Sequence, residues 1–402
     1  MRKTINIGDL GTIITGKTPP TTNKNYYGDY AVFIKPTDIS EQSKYTYETE
    51  EMYSKLAAEK YESSLIPKGA ICVPCIGTIG TKMTMAPCDC YTNQSINSII
   101  CNENYDNEYV YYLIKNFLPG LKAYNLGTAS GREYVSKSNF EKIELVAEQD
   151  KEIQKKIGVI LSRYDSLIEN YQKQIKLLEE AARRLYKEWF IDLRFPGHEN
   201  TKIVDGVPEG WERKKAFDFF EMSIGKTPPR TQKQWFTECN NGIPWVSISD
   251  MKDAMFIQNT SEELTLEACE KFNVKIVPKG TILLSFKLTI GRVAFAGADV
   301  CTNEAIAHFQ KEGDEWKAYT LMYLRNYNYD SLGNTSGISK AVNSTIIKNM
   351  PFVMPCIPIL QEYSQRVLPI IKQIESLQSQ IRLLTEARDR LLPKLMSGEI
   401  TV

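Results

Sequence analysis

Nearly every distinctive stretch of this chain occurs twice. GKTPP stands at residues 16–20 and again at 225–229. IPKGAICVPCIGTIG (66–80) matches VPKGTILLSFKLTIG (277–291), YTNQSI (91–96) matches CTNEAI (301–306), and LGTASG (126–131) matches LGNTSG (332–337). Further on, QKQIKLLEEAARRLYK (172–187) faces QSQIRLLTEARDRLLPK (378–394). The offset stays between about 206 and 212 residues throughout, which scattered coincidences of Gly and Pro do not produce. The order is therefore globular, helical, globular, helical, and 402 residues suffice for two domains.

Each globular half mixes short apolar runs with turn signals. Residues 70–73 and 281–286 follow a Pro-Lys-Gly turn and read as strands. Residues 51–62 and 262–271 read as short helices, and 107–117 as a helix with an aromatic face. The fold class expected is α+β, with two repeated domains of about 150 residues each. In the first helical segment Ile153, Ile157, Ile160, Tyr164, Leu167, Tyr171, Leu178 and Leu185 recur at steps of three and four. Val367, Ile370, Ile374, Leu377, Ile381, Leu384, Leu391 and Leu395 do so in the second. These are heptad seams, and the simplest partner for each is the other. Arg163, Glu169, Lys173, Lys176, Glu179, Arg382, Glu386 and Arg390 fall on flanking faces and read as solvated charge. A helix of about 40 residues spans roughly 60 Å. The first helix is expected to end near Phe190, and residues 194–210, with Gly206, Pro208 and Gly210, read as the linker onward.

Composition narrows the function classes. Hydrophobic residues at 42% and charged residues at 24% exclude a disordered, collagenous or membrane-embedded chain. No apolar run has the length of a membrane span, and MRKTINIGDLGTI lacks the apolar core of a secretion signal. Nine irregularly spaced cysteines then point to free thiols in a reducing compartment, so a cytoplasmic location is expected. Lys and Arg balance Asp and Glu at 49 each. Such a neutral chain lacks the footprint of a self-sufficient DNA binder. A nucleic-acid role needs local basic loops or a partner that brings charge.

Catalytic motifs do not hold up. Residues 11–18, GTIITGKT, match the phosphate loop literally, but that loop needs a helix directly after Lys-Thr. Pro19 and Pro20 follow instead, and the second copy has Phe220 where the first glycine would be. Cys72, Cys75, Cys88 and Cys90 have zinc-like spacing, yet their counterparts include Leu283, Phe286 and Asp299, so they read as small buried apolar residues. His308 reads as a satisfied structural histidine. Asp299, Glu315 and Lys317 could imitate a nuclease set, but the first half has no matching lysine. Neither a glycine-rich cofactor loop nor an Asn/Asp-Pro-Pro-aromatic element of a methyltransferase is present.

Recognition chemistry remains. The GKTPP loops run into TTNKNYYGDY and RTQKQWFTE, where cations alternate with hydroxyls, amides and aromatics. Cations and hydroxyls grip phosphates, while Asn, Gln and Arg pair with base edges. The candidate DNA-binding residues are Lys17, Thr18, Thr21, Asn23, Lys24 and Tyr26 in the first copy, and Lys226, Thr227, Arg230, Gln232, Lys233 and Trp235 in the second. Lys82, Lys287 and Arg292 flank the Thr-Ile-Gly turns, and Ser130, Arg132, Ser336 and Lys340 surround the two small-residue loops. For any one of them, an ordinary polar surface role is the competing reading.

With LYKEWFIDLRFPG (185–197), VPEGWE (207–212), the paired GKTPP loops and LLPKLMSGEI (391–400), the chain resembles the specificity subunit of Type I restriction-modification systems over nearly its whole length. The resemblance implies two target-recognition domains, each reading half of a split double-stranded DNA site. It implies that two long helices hold these domains apart as an antiparallel coiled coil. It also implies docking of two adenine-N6 methyltransferase subunits and of the restriction endonuclease/translocase subunits. No catalysis, cofactor or metal is expected in the chain itself. The expected division is a first recognition domain at 1–147, a spacer helix at 148–192, linker and second recognition domain at 193–355, and a second spacer helix at 356–402. Glu179, Arg183, Arg184, Tyr186, Trp189 and Phe190 are the candidate partner-binding residues, with capping of the coiled coil the equal alternative for the three aromatics. One departure is visible. The first half lacks a Pro-x-Gly-Trp segment like that at 208–211 and aligns from near residue 216, so either a shorter N-terminal strand or a misplaced start codon is expected there. The alternatives are a free-standing DNA-binding protein and an enzyme with a phosphate loop.

Overall fold

The computed structural model describes residues 2–77, 79–127, 133–237, 242–252, 254–332 and 342–402. Two compact units emerge, Met1–Asn170 with Ile381–Val402, and Tyr171–Gln380. Each holds one copy of the repeat and a stretch of each long helix.

In the first unit, Arg2–Asn6 pairs antiparallel with Glu144–Glu148, closing the α+β segment on one ladder. An antiparallel sheet follows in the order Gly11–Thr15, Ile96–Cys101, Ile71–Pro74, Thr84–Met85. Its central strand Ile71–Pro74 is buried throughout, which is why it reads as an unbroken apolar run. A smaller sheet centres on Tyr27–Ile34, antiparallel to Met52–Tyr53 and parallel to Tyr91–Thr92. Helix Asn107–Phe117 starts where the Asp106 carboxylate accepts from the Tyr109 amide at 3.0 Å. It buries Tyr109, Val110, Tyr112 and Leu113 with Ile71, Val73 and Ile99.

The second unit repeats this order with Glu221–Ile224, Ile306–Gln310, Ile282–Ser285 and Val293–Ala296, then adds Phe256–Ile257 in parallel. In the first unit a single parallel bridge, Tyr45 to Met85, stands at that edge. The smaller sheet comprises Phe236–Thr237, Glu262–Leu264, Ile243–Val246 and Cys301–Thr302. Glu212–Lys215 pairs with Pro351–Met354.

Three expectations are corrected. Residues 262–271 are not one helix: Glu262–Leu264 is a strand, and the helix is Leu266–Phe272, opened by the Thr265 hydroxyl. Pairing with Ile243–Val246 overrides the local preference there. Likewise Met52–Tyr53 is a strand, and helix Lys55–Lys60 begins after Ser54. The N-terminal strand is not shortened, since Arg2–Asn6 has five residues and its counterpart Glu212–Lys215 has four.

The long helices run over Lys151–Tyr186, extended by one π-helical turn at Lys187–Ile191, and over Ile357–Ser397. In the first unit Ile157 and Leu161 share a core with Leu392, Leu395 and Met396. In the second, Ala182 and Tyr186 share one with Tyr363, Val367, Ile371 and Ile374. Early residues of one helix meet late residues of the other, as antiparallel pairing requires. The seam is displaced from the expected one. Leu167 is 42% exposed, while Leu161, Asp165, Ile168 and Ala182 face inward. Asp165 accounts for the shift, because a charged core position is invisible to an apolar pattern. Its carboxylate accepts from the Arg388 guanidinium and from the Tyr112 hydroxyl, and Arg388 also reaches Asp389 at 2.8 Å. A buried ion pair is tolerated when its hydrogen-bonding capacity is met in this way.

Candidate nucleic-acid interface

The GKTPP loops are clamped by their main chains. The Lys17 amide donates to the Thr92 carbonyl and the Lys226 amide to the Thr302 carbonyl, both at 2.9 Å. Glycine is required just before each lysine. A Cβ on Gly16 would collide with the carbonyls of Thr92 and Asn93, and one on Gly225 with the Asn303 carbonyl. The next threonines repeat a contact, Thr18 donating to Gln94 and Thr227 to Glu304. Above them the Lys17 carbonyl accepts from the Tyr53 hydroxyl at 2.6 Å, and the Lys226 carbonyl from the Trp245 indole at 3.3 Å. No nucleotide cradle results. Gly11–Thr15 is a strand, and the Gly16 and Lys17 amides are spent on the Ile96 and Thr92 carbonyls.

On this frame the candidate residues fall into distinct environments. Lys17, Thr21, Asn23 and Lys24 are exposed in the first copy. The Lys17 ammonium reaches Ser63 at 3.2 Å, and Asn23 caps the next turn through the Asn25 amide at 3.1 Å. Tyr26 is half-buried, with the Lys60 ammonium 4.7 Å from its ring centroid. In the second copy Lys226, Arg230, Gln232 and Lys233 are exposed. Arg230 bonds both oxygens of Glu262 at 2.7 Å and lies over the Phe236 and Trp245 rings at 4.4 and 4.5 Å. Trp235 is buried, its indole donating to Gln232 at 2.6 Å, so it supports the loop rather than presenting a ring. Arg292 donates to the Ile248 carbonyl at 2.6 Å, Lys82 is half-buried and Lys287 is exposed. Ser130, Arg132, Ser336 and Lys340 lie outside the described residues.

The second copy thus gathers a charged cluster. Partial burial works to raise the Glu304 carboxyl, but the Thr227 hydroxyl and the Lys287 and Arg230 cations hold it below its ordinary range. Gln94 stands in that place in the first copy, where the contact from Thr18 is kept without the charge.

Beneath the clamp lies the histidine that reads from the sequence as a satisfied structural residue. His308 is fully buried, with Nδ1 2.8 Å from the Ser223 hydroxyl and Nε2 2.7 Å from that of Thr302. Burial pushes its imidazole down to about 4, so it is neutral at pH 7. Its counterpart is Ser98, and the Thr92 hydroxyl there has no hydrogen-bond partner among the described residues. The one available signal is the exchange of Ser98 for His308 inside otherwise matched strands.

The other candidates are occupied. Cys72 and Cys75 are buried, and burial pushes each thiol up to about 12, so neither is a ready metal ligand. Among the described residues no group of three or more His, Cys, Asp or Glu could hold a metal ion. Asp299 accepts from the Lys279 amide at 2.9 Å, and Lys317 pairs with Asp314 at 2.6 Å. Tyr186, Trp189 and Phe190 turn inward and pack with Tyr319, Tyr363 and Trp211. Their rings are therefore not a free docking surface. Glu179 bonds Arg325 at 3.3 Å, Arg184 pairs with Glu180, and Arg183 is exposed. Among the described residues no helix is long and apolar enough to cross a membrane.

A family model described as the Type I restriction modification DNA specificity domain matches twice, at residues 2–180 and 208–386. The MjaIX specificity subunit of a Type I restriction enzyme from Methanocaldococcus jannaschii is 29% identical over 409 residues, covering 98% of this chain and 93% of the relative. The HindI specificity subunit from Haemophilus influenzae is 24% identical, over 62% of this chain and 68% of the relative. In fold, the chain is similar to the crystal structure of a Type I restriction-modification S subunit from M. genitalium. The TM-score is 0.59 at 16% identity, over 98% of this chain and 96% of that one.

Proposed function

The chain belongs to the Type I restriction-modification DNA specificity family, and from that premise we propose that it is the non-catalytic subunit choosing the DNA on which partner subunits act. Each repeat reads one half of a split double-stranded site, and the long helices fix the run of unread bases between the halves. The observation that carries this reading is the duplicated clamp, in which one main-chain frame presents two different sets of polar side chains. Chains that read two unlike half-sites need that combination. The partners are two methyltransferase subunits and the endonuclease/translocase subunits, working in the cytoplasm. Partners are needed for charge as well as for chemistry. The chain is neutral overall, and Glu262 and Glu304 offset part of the cation set in the second repeat.

Mapping N6-methyladenine across the source genome, with and without this gene, tests the reading. Loss of methylation at one split motif of fixed gap supports it. Unchanged methylation beside an active methyltransferase overturns it and favours a free-standing DNA binder. Inserting seven residues into only one long helix should abolish methylation at that motif, because the half-sites lie on a helix of about 34–36 Å per turn. Charge reversal at Arg183 and Arg184 should reduce co-purification of the methyltransferase if this helix face docks it.

A further inference from the structure

We propose that Leu288 is a specificity-determining residue of the second repeat, an apolar side chain held out on a rigid turn to touch the bases of duplex DNA. This rests on the reading given above. Leu288 is 98% exposed, and its backbone adopts φ 60°, a left-handed conformation that costs a leucine and not a glycine. The exposure gains the fold nothing and the backbone costs it, and strained backbone of this kind clusters where function uses it.

The first repeat supplies the control. Gly77 occupies the matching position, with φ 86° and nothing within 4 Å of a Cβ built on it. The turn can thus be made with glycine, and the leucine is an addition to it.

The turn is also firmly held. Ser285 accepts the Gly291 amide on its carbonyl at 3.0 Å, and its hydroxyl donates to the Thr289 carbonyl at 2.6 Å while accepting the Arg292 amide at 3.1 Å. The Phe286 amide donates to the Ala305 carbonyl at 2.9 Å. That bond ties the turn to the loop that carries Glu304 and receives the GKTPP clamp. Leu288 directly follows Lys287, whose cation acts on Glu304 together with Arg230 and the Thr227 hydroxyl.

A single leucine among cations and hydroxyls is too small for a protein interface. It suits a surface that is anionic outside and apolar within, which describes a DNA groove. A side chain there contacts a thymine methyl or wedges at a base step, and either discriminates between base pairs.

The test is the methylation map in cells carrying Leu288→Gly or Leu288→Asn, two residues that tolerate the left-handed backbone. One position in one half of the motif should lose its preference by roughly tenfold, as expected for a single base contact. The other half should be unchanged, and the melting temperature of Leu288→Gly should be no lower than that of the parent. An identical motif at identical site-by-site occupancy overturns the proposal. So does a uniform drop at all sites without a change of preference. If the parent chain itself directs no split motif, the underlying reading fails first, and that result is distinct from either.

Discussion

Under the GKTPP loop of the second repeat, His308 joins Ser223 to Thr302. Under that of the first, Ser98 leaves the Thr92 hydroxyl without a hydrogen-bond partner among the described residues. The same contrast recurs above the loop, where Arg230 is locked to Glu262 over two aromatic rings and Thr21 stands exposed at the matching place. The helix stretches differ as well. The first unit places the Asp165–Arg388 pair in its seam, and the second places the rings of Tyr186, Phe190 and Tyr363 there. One backbone plan therefore tolerates opposite solutions to burial, a polar one in one place and an aromatic or apolar one in the other. What the two copies cannot vary is the close main-chain approach.

The largest effect expected from breaking this comparison is at the charged seam. Arg388→Ala leaves Asp165 buried and half-paired, and should destabilise the chain by about 4 kcal/mol in urea unfolding. Replacing both partners by Met and Leu should restore most of that loss. If the single variant costs under ~1 kcal/mol, the pair does not organise the seam.

Next come the glycines. Gly16→Ala and Gly225→Ala each push a methyl into backbone and should cost about 3 kcal/mol. Comparable losses in the two variants would show that the clamp is common property. A loss in only one would show that the repeats hold their loops differently.

His308 belongs to the second repeat alone and gives a pH signature. Its folded-state value, about 4, lies below the ordinary 6.5, so the unfolded chain binds the extra proton between these values. Stability from this group is full above about pH 6.5 and falls as pH drops toward 4, by about 3 kcal/mol at most. His308→Gln should flatten that part of the profile. An unchanged slope would assign the acid sensitivity to other groups.

The smallest effect concerns Arg230. Its ion pair is half-exposed, so Arg230→Ala should cost only about 1 kcal/mol, mostly from the lost stacking on Phe236 and Trp245. Thr21→Ala should be near neutral in the same assay.

The doubling, the α+β class and the long helices were legible because period and spacing survive in the residues themselves. Pro19 and Pro20 rightly dismissed the phosphate loop on chain geometry alone. The seam register was not legible, because Asp165 and Arg388 look like solvent residues until each is seen to satisfy the other. Strand Glu262–Leu264 was hidden for a similar reason, since its state depends on a partner strand elsewhere. Trp235 reads from the sequence as a DNA contact, and Tyr186, Trp189 and Phe190 read equally well as partner contacts or as caps of the coiled coil; all four are packed inward. Exposure is a property of three dimensions, and Leu288 does not announce its own.

The amide-to-carbonyl bonds that clamp Lys17 and Lys226 are indifferent to the side chains that follow them. Exposed positions such as Thr21, Lys24, Lys226 and Lys233 can mutate without loosening the loop that bears them. Such a chain separates variation in its exposed loop side chains from the cost of remaining folded. On the function proposed above, a lineage acquires a new target sequence by substituting such exposed positions while the clamp keeps its backbone bonds.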